Sequence, residues 1–541
     1  MFTRTTLALA AAALSLAACS DTRTPLVGPG GTVAARADAS DPTPNGLALT
    51  KIGGFDGGQA RAAEITAYDF VSKRLFVVNG ALGSIDVLDL RDPSAPKLIA
   101  TLSGAQFGGP VNSVAADGGV VAIAVEAVPK TAPGKVVFIR ATTLAIVSQV
   151  TVGALPDMVT FSPSGRYLLV ANEGEPNNSY TVDPEGSVSI IDIRNINAPT
   201  ARTATFTSFN GQAAALRAAG VRIYGPNATV AQDLEPEYVT VDDAETTAYV
   251  SLQENNAVAV VDLATATVRS VAPLGYKDHR LPGSALDPSD RDGGVNIRNW
   301  PVFGMYQPDA IASYTVNGQT YLITANEGDA REYLEAPGFV EEARVSTLPL
   351  NPAIFTPAAC NGLSCSSASA LGRLTVTNTL GRNPSTGRFD ALYVLGGRSL
   401  SIWSTSGTQV SQVWDSGDQL ERLTQSIPEA NFNASNNNNT IDDRSDNKGP
   451  EPEGVVIGKL GAKTFAFVGL ERIGGVVVYD VTTPTNPIQV TYVNTRSGAT
   501  GDRGPEGVIF IPAVKSPNKR PLLIVGNETS GTTAIFQINL Q

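Results

Sequence analysis

The sequence has very few of the residues on which common catalytic and metal sites depend. Its 541 residues include one histidine, three cysteines and three tryptophans. A lone histidine, His279, argues against a histidine-rich zinc centre and removes most options for a Ser-His-Asp triad. Trp300, Trp403 and Trp414 are too few and too scattered to predict a stacking surface for sugars.

The charge balance is acidic, with 51 Asp and Glu residues against 39 Lys and Arg residues and a formal net charge of -12. An acidic surface repels phosphate backbones, so we expect no nucleic-acid partner, whereas cations are favoured. Hydrophobic residues make up 42% of the chain and charged residues 17%. These proportions are typical of a folded protein rather than of a disordered or membrane-embedded one.

The first 18 residues have the features of an export signal. A basic start precedes an apolar stretch from Leu7 to Ala18, which is shorter than the roughly 20 residues needed to span a bilayer. The run Leu16-Ala17-Ala18-Cys19 resembles a bacterial lipobox, so we predict a lipoprotein signal peptide over residues 1–18 and lipidation of Cys19. An ordinary signal peptide with an incidental cysteine is the alternative.

The segment that follows predicts how the chain is anchored. Ser20, rather than Asp, follows the cysteine, which is typical of lipoproteins delivered to the outer membrane of Gram-negative bacteria. Residues 19–45 are rich in Pro, Gly, Thr and Asp and predict a lipidated flexible tether. More than one acyl chain gives stable anchoring, so we expect an exported protein attached to a membrane.

The other two cysteines, Cys360 and Cys365, lie close together in a stretch rich in Ser, Ala and Pro. In an oxidising compartment this spacing predicts a small disulfide. A metal site is less favoured, because there are only two thiols and no histidine nearby.

One pattern recurs over residues 46–541. An inner strand opens near an acidic residue, a turn and an apolar strand ending near Asn-Glu follow, and a third strand ends near Asp-Leu or Asp-Val. The openings are at Glu64, Asn112, Asp157, Glu237, Asp309, Glu453 and Glu506. The second strands end at Asn79, Glu126, Glu173, Glu254, Glu327, Glu471 and Glu528.

Each repeat exposes an apolar sheet face that needs a neighbour, so the units predict an all-β fold, a β-propeller. We count seven complete units, and a partial one over Ala391–Thr405 leaves seven or eight blades. A strand near Leu47 to Phe55 has no hairpin partner before it, and we expect it to close the ring by completing the final blade. A row of β-sandwiches is the rival fold.

The start of a first strand and the end of a second lie at the same end of an antiparallel hairpin. The opening and closing acids should therefore gather at one mouth of the central channel. Four inserted segments, Gly174–Gly186, Tyr276–Tyr306, Gly328–Leu371 and Asp418–Pro450, fall on that face, where function tends to lie. The candidate metal or ligand residues are Asp157, Glu173, Glu237, Glu254, Asp309, Glu327, Glu453, Glu471, Glu506 and Glu528.

Crowded carboxylates raise one another's pKa values unless a cation neutralises them, and Ca²⁺ suits such a ring best. The alternative is that each acid accepts hydrogen bonds from backbone N–H groups at the start of its strand. Arg298, Arg331 and Lys448 in the inserted loops are candidate contacts for an anion such as phosphate. The loop charges could equally form an internal salt-bridge network.

Five long motifs resemble the choice-of-anchor I domain family, and the resemblance covers Leu47 to Gln541 in matching order. They are YTVDPEGSVSIIDI, DRDGGVNIRNWPVFGMYQPDAIASY, TANEGDAREY, DDRSDNKGPEPEGV and GLERIGGVVVYDV. Animal relatives of the family resemble the mesenchyme-specific cell surface glycoprotein. The resemblance implies a YVTN/WD40-like propeller on the cell exterior with an N-terminal lipid as its anchor. It supplies no agreed activity and no catalytic residue.

The sequence predicts an extracytoplasmic, lipid-anchored binding or scaffold module, stabilised by calcium, with an unknown protein or small-molecule ligand. The alternative is a metal-dependent phosphoesterase of alkaline phosphatase-like or phytase-like type. In that hypothesis Asp309, Glu327, Glu453 and Glu471 hold metals, and Arg298, Arg331 or Lys448 steadies the transferred phosphoryl group.

Overall fold

The computed structural model describes residues 43–427 and 431–541. The predicted signal peptide, the lipidation site Cys19 and most of the predicted tether lie outside these residues. Within the described ranges, no helix combines the length and the apolarity needed to cross a bilayer.

Seven four-stranded antiparallel sheets account for most of the described chain. The first strands of the seven sheets are Thr66–Asp69, Val111–Asp117, Pro156–Phe161, Val239–Val241, Ile311–Val316, Pro452–Leu460 and Pro505–Ile511. The second strands are Arg74–Asn79, Val120–Val125, Tyr167–Asn172, Thr247–Leu252, Gln319–Asn326, Lys463–Leu470 and Leu522–Asn527. We call these sheets blades 1 to 7 in chain order.

The outer half of each blade is built in the same way. The third strands are Ser84–Asp89, Pro133–Arg140, Ser187–Asp192, Ala257–Asp262, Ser399–Ser406, Val476–Asp480 and Thr532–Leu540. The fourth strands are Lys97–Ser103, Ile146–Ala154, Thr200–Thr205, Thr267–Pro273, Gln409–Asp415, Ile488–Val493 and, for blade 7, Leu47–Asp56.

The blades form a closed ring. The first strand of each blade contacts the first strand of the next, and that of blade 7 contacts that of blade 1. Seven hydrophobic clusters fill the seven junctions between neighbouring blades. Each blade therefore buries an apolar face on either side, as stacked sheets in a propeller require. The predicted all-β propeller is confirmed.

The predicted closure by the N-terminal strand is also present. Leu47–Asp56 pairs antiparallel with Thr532–Leu540, so the two ends of the propeller sequence share blade 7. This pairing gives blade 7 four strands, and its outermost strand is Leu47–Asp56 rather than a strand from the end of the repeat.

The ring has seven blades, and the partial unit over Ala391–Thr405 is not an eighth. Its second half, Ser399–Ser406, is the third strand of blade 5 and pairs with Gln319–Asn326. Its first half, Tyr393–Val394, pairs in parallel with Phe303–Met305 outside the ring. The insertion after Asn326 separates two strands of one blade, which is why the sequence pattern resembled an additional unit.

The inserted segments 276–306, 328–398, 418–427 and 431–450 pack together beside blade 5, and we call them the cap. The cap has its own apolar core, which includes Trp300, Val345, Leu374 and Phe389. Cys360 and Cys365 lie in this core and are joined by a disulfide. Its short strands are Tyr276–Asp278, Phe303–Met305, Glu332–Tyr333, Phe339–Val340, Glu342–Arg344, Thr375–Thr377 and Tyr393–Val394.

Short helices occur in the connections of the blades and in the cap. They are Gly104–Phe107, Thr207–Gln212, Ala213–Ala219, Val230–Asp233, Val345–Thr347, Pro357–Cys360 and Gln419–Ser426. A two-stranded ribbon, Arg496–Ser497 with Thr500–Gly501, precedes blade 7. Three of the helices lie between blades 3 and 4, so that connection is another long insertion on the face where first strands begin.

Candidate functional site

Bulges at the starts of the first strands position the acidic side chains. In blade 3, Pro156 pairs with Asn172 but Val159 pairs with Val170, so Asp157 lies inside a shift of register. The same shift surrounds Glu453 in blade 6 and Glu506 in blade 7. A bulge re-aims the side chain that it contains, and here it occurs where the strand meets the channel.

Four of the opening acids, Glu64, Asp157, Asp309 and Glu506, border a cavity of about 400 Å³ at the mouth of the channel, whereas Glu237 and Glu453 are not part of its lining. Its polar lining comes from nearly every blade and includes Glu64, Asn112, Glu126, Asp157, Asp309, Glu506 and Glu528, together with Arg61. Met158 and Tyr238 line both this cavity and a much smaller one beneath it. We call the acids at the starts of the first strands and at the ends of the second strands, together with the acids beside them, the carboxylate mouth.

Within the mouth, carboxylate oxygens from neighbouring blades form three close sets, in each of which the oxygens lie within 4.8 Å of one another. The Asp157 set contains Asp157, Glu173 and Glu237. The Asp309 set contains Asp309, Glu327 and Glu453, and the Glu451 set contains Glu327, Glu451 and Glu471. The predicted convergence of strand starts and strand ends therefore brings acids of blades 3 and 4 into direct proximity and, separately, acids of blades 5 and 6.

Burial is the main cause that raises the pKa of the mouth acids, and repulsion between carboxylates adds to it. The pKa of Asp157 rises to about 7, and that of Glu471 to about 8. Burial, reinforced by neighbouring acids, raises the pKa values of Glu173, Glu237 and Asp309 well above their usual range. The mouth therefore stores unfavourable electrostatic energy that a bound cation would relieve.

The hydrogen bonds of these acids test the alternative that each of them only accepts hydrogen bonds from backbone N–H groups at the start of its strand. Among the described residues, no backbone N–H donates to the side chains of Asp157, Glu237, Asp309, Glu453 or Glu506. The Oε2 atoms of Glu453 and Glu506 are buried without any hydrogen-bond partner in the described structure. The acids thus differ from ordinary strand-start acceptors, whose oxygens would be satisfied by the backbone.

Lys448 and Arg331, two of the candidate anion contacts, are held by carboxylates. Lys448 is 8% exposed, and its Nζ lies 2.8 Å from Glu327 Oε1 and 3.1 Å from Glu451 Oε2. Arg331 is 2% exposed and pairs with Asp233 and Glu235. Both side chains belong to the internal salt-bridge network that was the second interpretation of the loop charges.

Arg298, the third candidate, is not part of the mouth. It lies in the cap and lines a separate cavity of about 190 Å³ with Asp292 and Trp300. His279 is fully buried in the cap, where its Nδ1 lies 2.6 Å from the carbonyl oxygen of Ser284, and burial lowers its pKa well below the usual range.

Sequence reasoning missed several acids of the mouth region, including Glu235, Asp329 and Glu451. Glu451 is fully buried and is shared by Lys448, Arg444 and Arg472, so the arginines and the lysine lower its pKa to about 2. A signal was present: Glu-Pro-Glu occurs at 235–237 and again at 451–453. In both places the first Glu is buried behind the opening acid.

The chain was compared with known proteins. It is 30% identical over 285 residues to a mesenchyme-specific cell surface glycoprotein of Strongylocentrotus purpuratus, an alignment that covers 48% of this chain and 36% of the relative. It is 29% identical over 191 residues to gigasin-3a of Magallana gigas, covering 31% of this chain and 64% of the relative. The chain thus matches only part of the length of either relative.

Solved structures with a similar fold include a β-propeller domain of Cps50 (Swd1) from Myceliophteria thermophila, with a TM-score of 0.42 and 8% identity over 91% of this chain and 100% of that one. Another is the WD40 domain of Toxoplasma gondii coronin, with a TM-score of 0.46 and 9% identity over 93% of this chain and 88% of that one. These distant likenesses add nothing to what the seven sheets establish.

The model of the choice-of-anchor I domain matches residues 64–484, which is well over half of the chain and runs from the opening of blade 1 into blade 6. Both the mouth and the cap lie almost entirely inside the matched range. The protein belongs to the choice-of-anchor I domain family.

Proposed function

We propose that this protein is an extracytoplasmic binding module, anchored through a lipid on Cys19, whose carboxylate mouth binds calcium. The observation on which this rests is the convergence of acids from neighbouring blades into sets whose oxygens lie within 4.8 Å of one another. An ion at 2.3–2.6 Å from each ligand, the usual range for Ca²⁺, fits between oxygens at about this spacing.

The energetics of the mouth favour a cation. Buried carboxylates repel one another, and their raised pKa values measure how poorly the site tolerates their charge. A divalent ion bound among these acids offsets that repulsion. Ca²⁺ accepts six to eight oxygens in variable geometry, which suits a ring of carboxylates better than the strict octahedron of Mg²⁺.

A location outside the cytoplasm follows from three features. The matching family is named a choice-of-anchor domain, and one relative is named as a cell surface glycoprotein. The sequence Leu16-Ala17-Ala18-Cys19 supplies an anchor of its own. The internal disulfide is also typical of an oxidising compartment.

The described structure offers no specific support for the phosphoesterase hypothesis. A phosphoryl group needs free cationic side chains beside the metal, but Arg331 and Lys448 are already paired with buried acids. Arg298 lines a different cavity. A binding function is therefore the better account of the mouth.

A metal analysis tests the proposal. A soluble form beginning at Asp21 is purified without added metal, its metal content is measured, and thermal melts are recorded before and after chelation. We expect bound calcium, a lower melting temperature after chelation and recovery on adding Ca²⁺. A metal-free protein whose melt is the same with and without Ca²⁺ would refute calcium binding.

The anchor is tested separately in the full chain. Replacing Cys19→Ser should move the protein from the membrane fraction to the soluble fraction and abolish labelling with radioactive palmitate. Membrane association that survives this substitution would contradict a lipid anchor on Cys19.

A further inference from the structure

The three carboxylate sets differ in what neutralises them. The Glu451 set is crowded with cations of the chain itself: Arg444 contacts Glu451 at 2.7 Å, and Arg472 lies 3.0 Å from both Glu451 and Glu471. Lys448 completes the arrangement from the side of Glu327. Three acids and three basic residues therefore form a network that is balanced in charge.

Lys448 also reaches the Asp309 set, because Glu327 belongs to both sets. Its ammonium lies 2.8 Å from Glu327 Oε1 and also donates to the carbonyl oxygen of Gly328. The Lys448 ammonium lowers the pKa of Asp309 against the larger effect of burial. A metal ion bound to Glu327 would have to displace this ammonium or lie next to it, and either arrangement is unfavourable.

On the side of blades 7 and 1, an arginine has the same role. Arg61 Nε lies 3.0 Å from Glu64 Oε1 and 3.3 Å from Glu528 Oε1. In blade 2 an amide stands in place of an acid, since Asn112 opens the first strand and its side chain donates to Glu126. Neither blades 7 and 1 nor blade 2 therefore contain three neighbouring carboxylates without a basic or amide side chain between them.

The Asp157 set has no such neighbour. Among the described residues, no Lys or Arg side chain forms an ion pair with Asp157, Glu173 or Glu237. Lys130, on the adjoining loop, is paired with Glu175 instead. The charged groups that raise the pKa of Glu173 and Glu237 are all carboxylates.

A second observation at this set points to a ligand. Glu254, at the end of the second strand of blade 4, is 5% exposed, and its Oε2 has no hydrogen-bond partner in the described structure. Its charge acts on both Glu173 and Glu237, so it lies beside the same set. Burial raises the pKa of Glu254 although the Arg331 guanidinium lowers it. A buried carboxylate with one oxygen left without a hydrogen bond, behind three others, is costly, and a cation in the site would offset that cost.

We propose that Asp157, Glu173 and Glu237, with Glu254 behind them, bind one divalent cation of the calcium type. In the Asp309 set and the Glu451 set, the Lys448 ammonium takes the place of such an ion and excludes a second one. This inference rests on the proposed function: it assigns the ion to blades 3 and 4 and predicts that seven similar blades hold a single metal.

Titration calorimetry of the soluble form, after removal of metal, measures how many Ca²⁺ ions bind and how tightly, and so tests which acids hold the ion. The wild type should bind one Ca²⁺. Asp157→Asn and Glu173→Gln should each weaken binding by at least about tenfold, because loss even of an outer-shell partner has an effect of that size. Asp192→Asn, in the same blade but at the surface beside Arg194, is the matched control and should bind as the wild type does.

Lys448→Gln tests the second half of the inference. Removing the ammonium leaves Glu327 and Glu451 without it, so this variant should bind two Ca²⁺ ions and should melt at a lower temperature that added Ca²⁺ restores. If Lys448→Gln is too unstable to titrate, recovery of its circular dichroism signal on adding Ca²⁺, with no recovery on adding Na⁺, is the substitute measurement. An unchanged stoichiometry of one, or no recovery, would refute the exclusion.

The outcomes separate this inference from the proposed function. If the wild type binds no Ca²⁺, the proposed function fails and the site assignment fails with it. If the wild type binds Ca²⁺ but Asp157→Asn leaves the affinity intact while Asp309→Asn abolishes binding, calcium binding stands and the ion belongs to the Asp309 set, which overturns the inference.

Discussion

The Asp157 set and the Glu451 set each lie where two neighbouring blades meet, but they have opposite electrostatic surroundings. The loop that rises beside the Asp157 set, Gly174–Gly186, contains acids and not one Lys or Arg. The loop before the Glu451 set, Asp418–Pro450, contributes Arg444 and Lys448. The pKa of Glu451 is accordingly lowered to about 2, while that of Asp157 is raised to about 7.

The difference shows that the repeat and the insertions have separate roles. The repeated strands bring a carboxylate to the mouth from blade after blade, and the bulge at the strand start directs it to the channel. The inserted loop then determines whether that carboxylate meets a cation of the chain. Function on this scaffold is thus decided in the loops, as in many propellers.

The largest effect on stability should come from a substitution in the Glu451 set, whose acids are neutralised by basic side chains of the chain. Glu451→Gln leaves Lys448, Arg444 and Arg472 without the fully buried acid that they share, and loss of one partner in a buried ionic network costs about 3–5 kcal/mol. We expect the free energy of unfolding, measured by denaturant titration at neutral pH, to fall by that amount.

The matched substitution on the other side is Asp157→Asn in calcium-free protein. Asp157 has no cationic partner among the described residues, and its neighbours repel it, so its removal should leave the free energy of unfolding unchanged or raise it. If both variants lost stability to the same extent, the two sets would not differ in the way that their contacts indicate.

A smaller effect should appear in the dependence of stability on pH. The raised pKa of Asp157 means that the folded protein binds protons more tightly than the unfolded chain between about pH 4 and 7, so stability falls as pH rises through that window. Glu451 acts in the opposite direction, but only below its ordinary pKa of about 4.5. Calcium-free protein should therefore melt at a higher temperature at about pH 5.5 than at about pH 8.

Bound Ca²⁺ should reduce that difference, because the ion keeps the Asp157 set ionised at both pH values. The control is Asp157→Asn without calcium, in which the difference between the two melting temperatures should shrink. A calcium-free wild type that melts at a higher temperature at about pH 8 would show that the mouth acids are not repelling one another.

The smallest effect is expected at the rim, where Arg61 is largely exposed. Its side chain is 63% exposed while it contacts Glu64 and Glu528, and exposed ion pairs contribute about 0–1 kcal/mol. Arg61→Gln should change the free energy of unfolding by no more than this. A loss of unfolding free energy as large as that of Glu451→Gln would mean that the ion pairs of Arg61 with Glu64 and Glu528 stabilise the fold as much as those of Lys448 do.

Much of the fold could be predicted because each blade repeats one local pattern. The acid, the apolar hairpin and the closing Asn-Glu are contiguous in most blades, and the strand at Leu47 has no partner except at the end of the chain. In blade 5 the pattern did not identify the third strand. Its second strand ends at Asn326 and pairs there with Ser399, the start of its third strand, 73 positions later, and no local signal connects the two strands.

The site was predictable where it depends on hairpin geometry and not where it depends on packing. Antiparallel pairing places Asp157 and Glu173 at one end of blade 3, and the register of the strands agrees with this. Nothing in a strand pattern says that Lys448 or Arg331 is buried, because burial is set by how the cap folds over the ring. The candidate anion contacts were proposed from charge alone, and it is the depth of Lys448 and Arg331 that assigns these two to structural ion pairs.

The closure of blade 7 has a consequence for orientation. First strands run from the mouth face to the opposite face, so third strands do too, and Thr532–Leu540 ends at the far side of the disc. Leu47 pairs with Leu540 there, which means that the chain enters the propeller from the side away from the carboxylates. A tether attached at this point would hold the disc by its back, with the carboxylate mouth turned away from the lipid surface toward the surrounding medium.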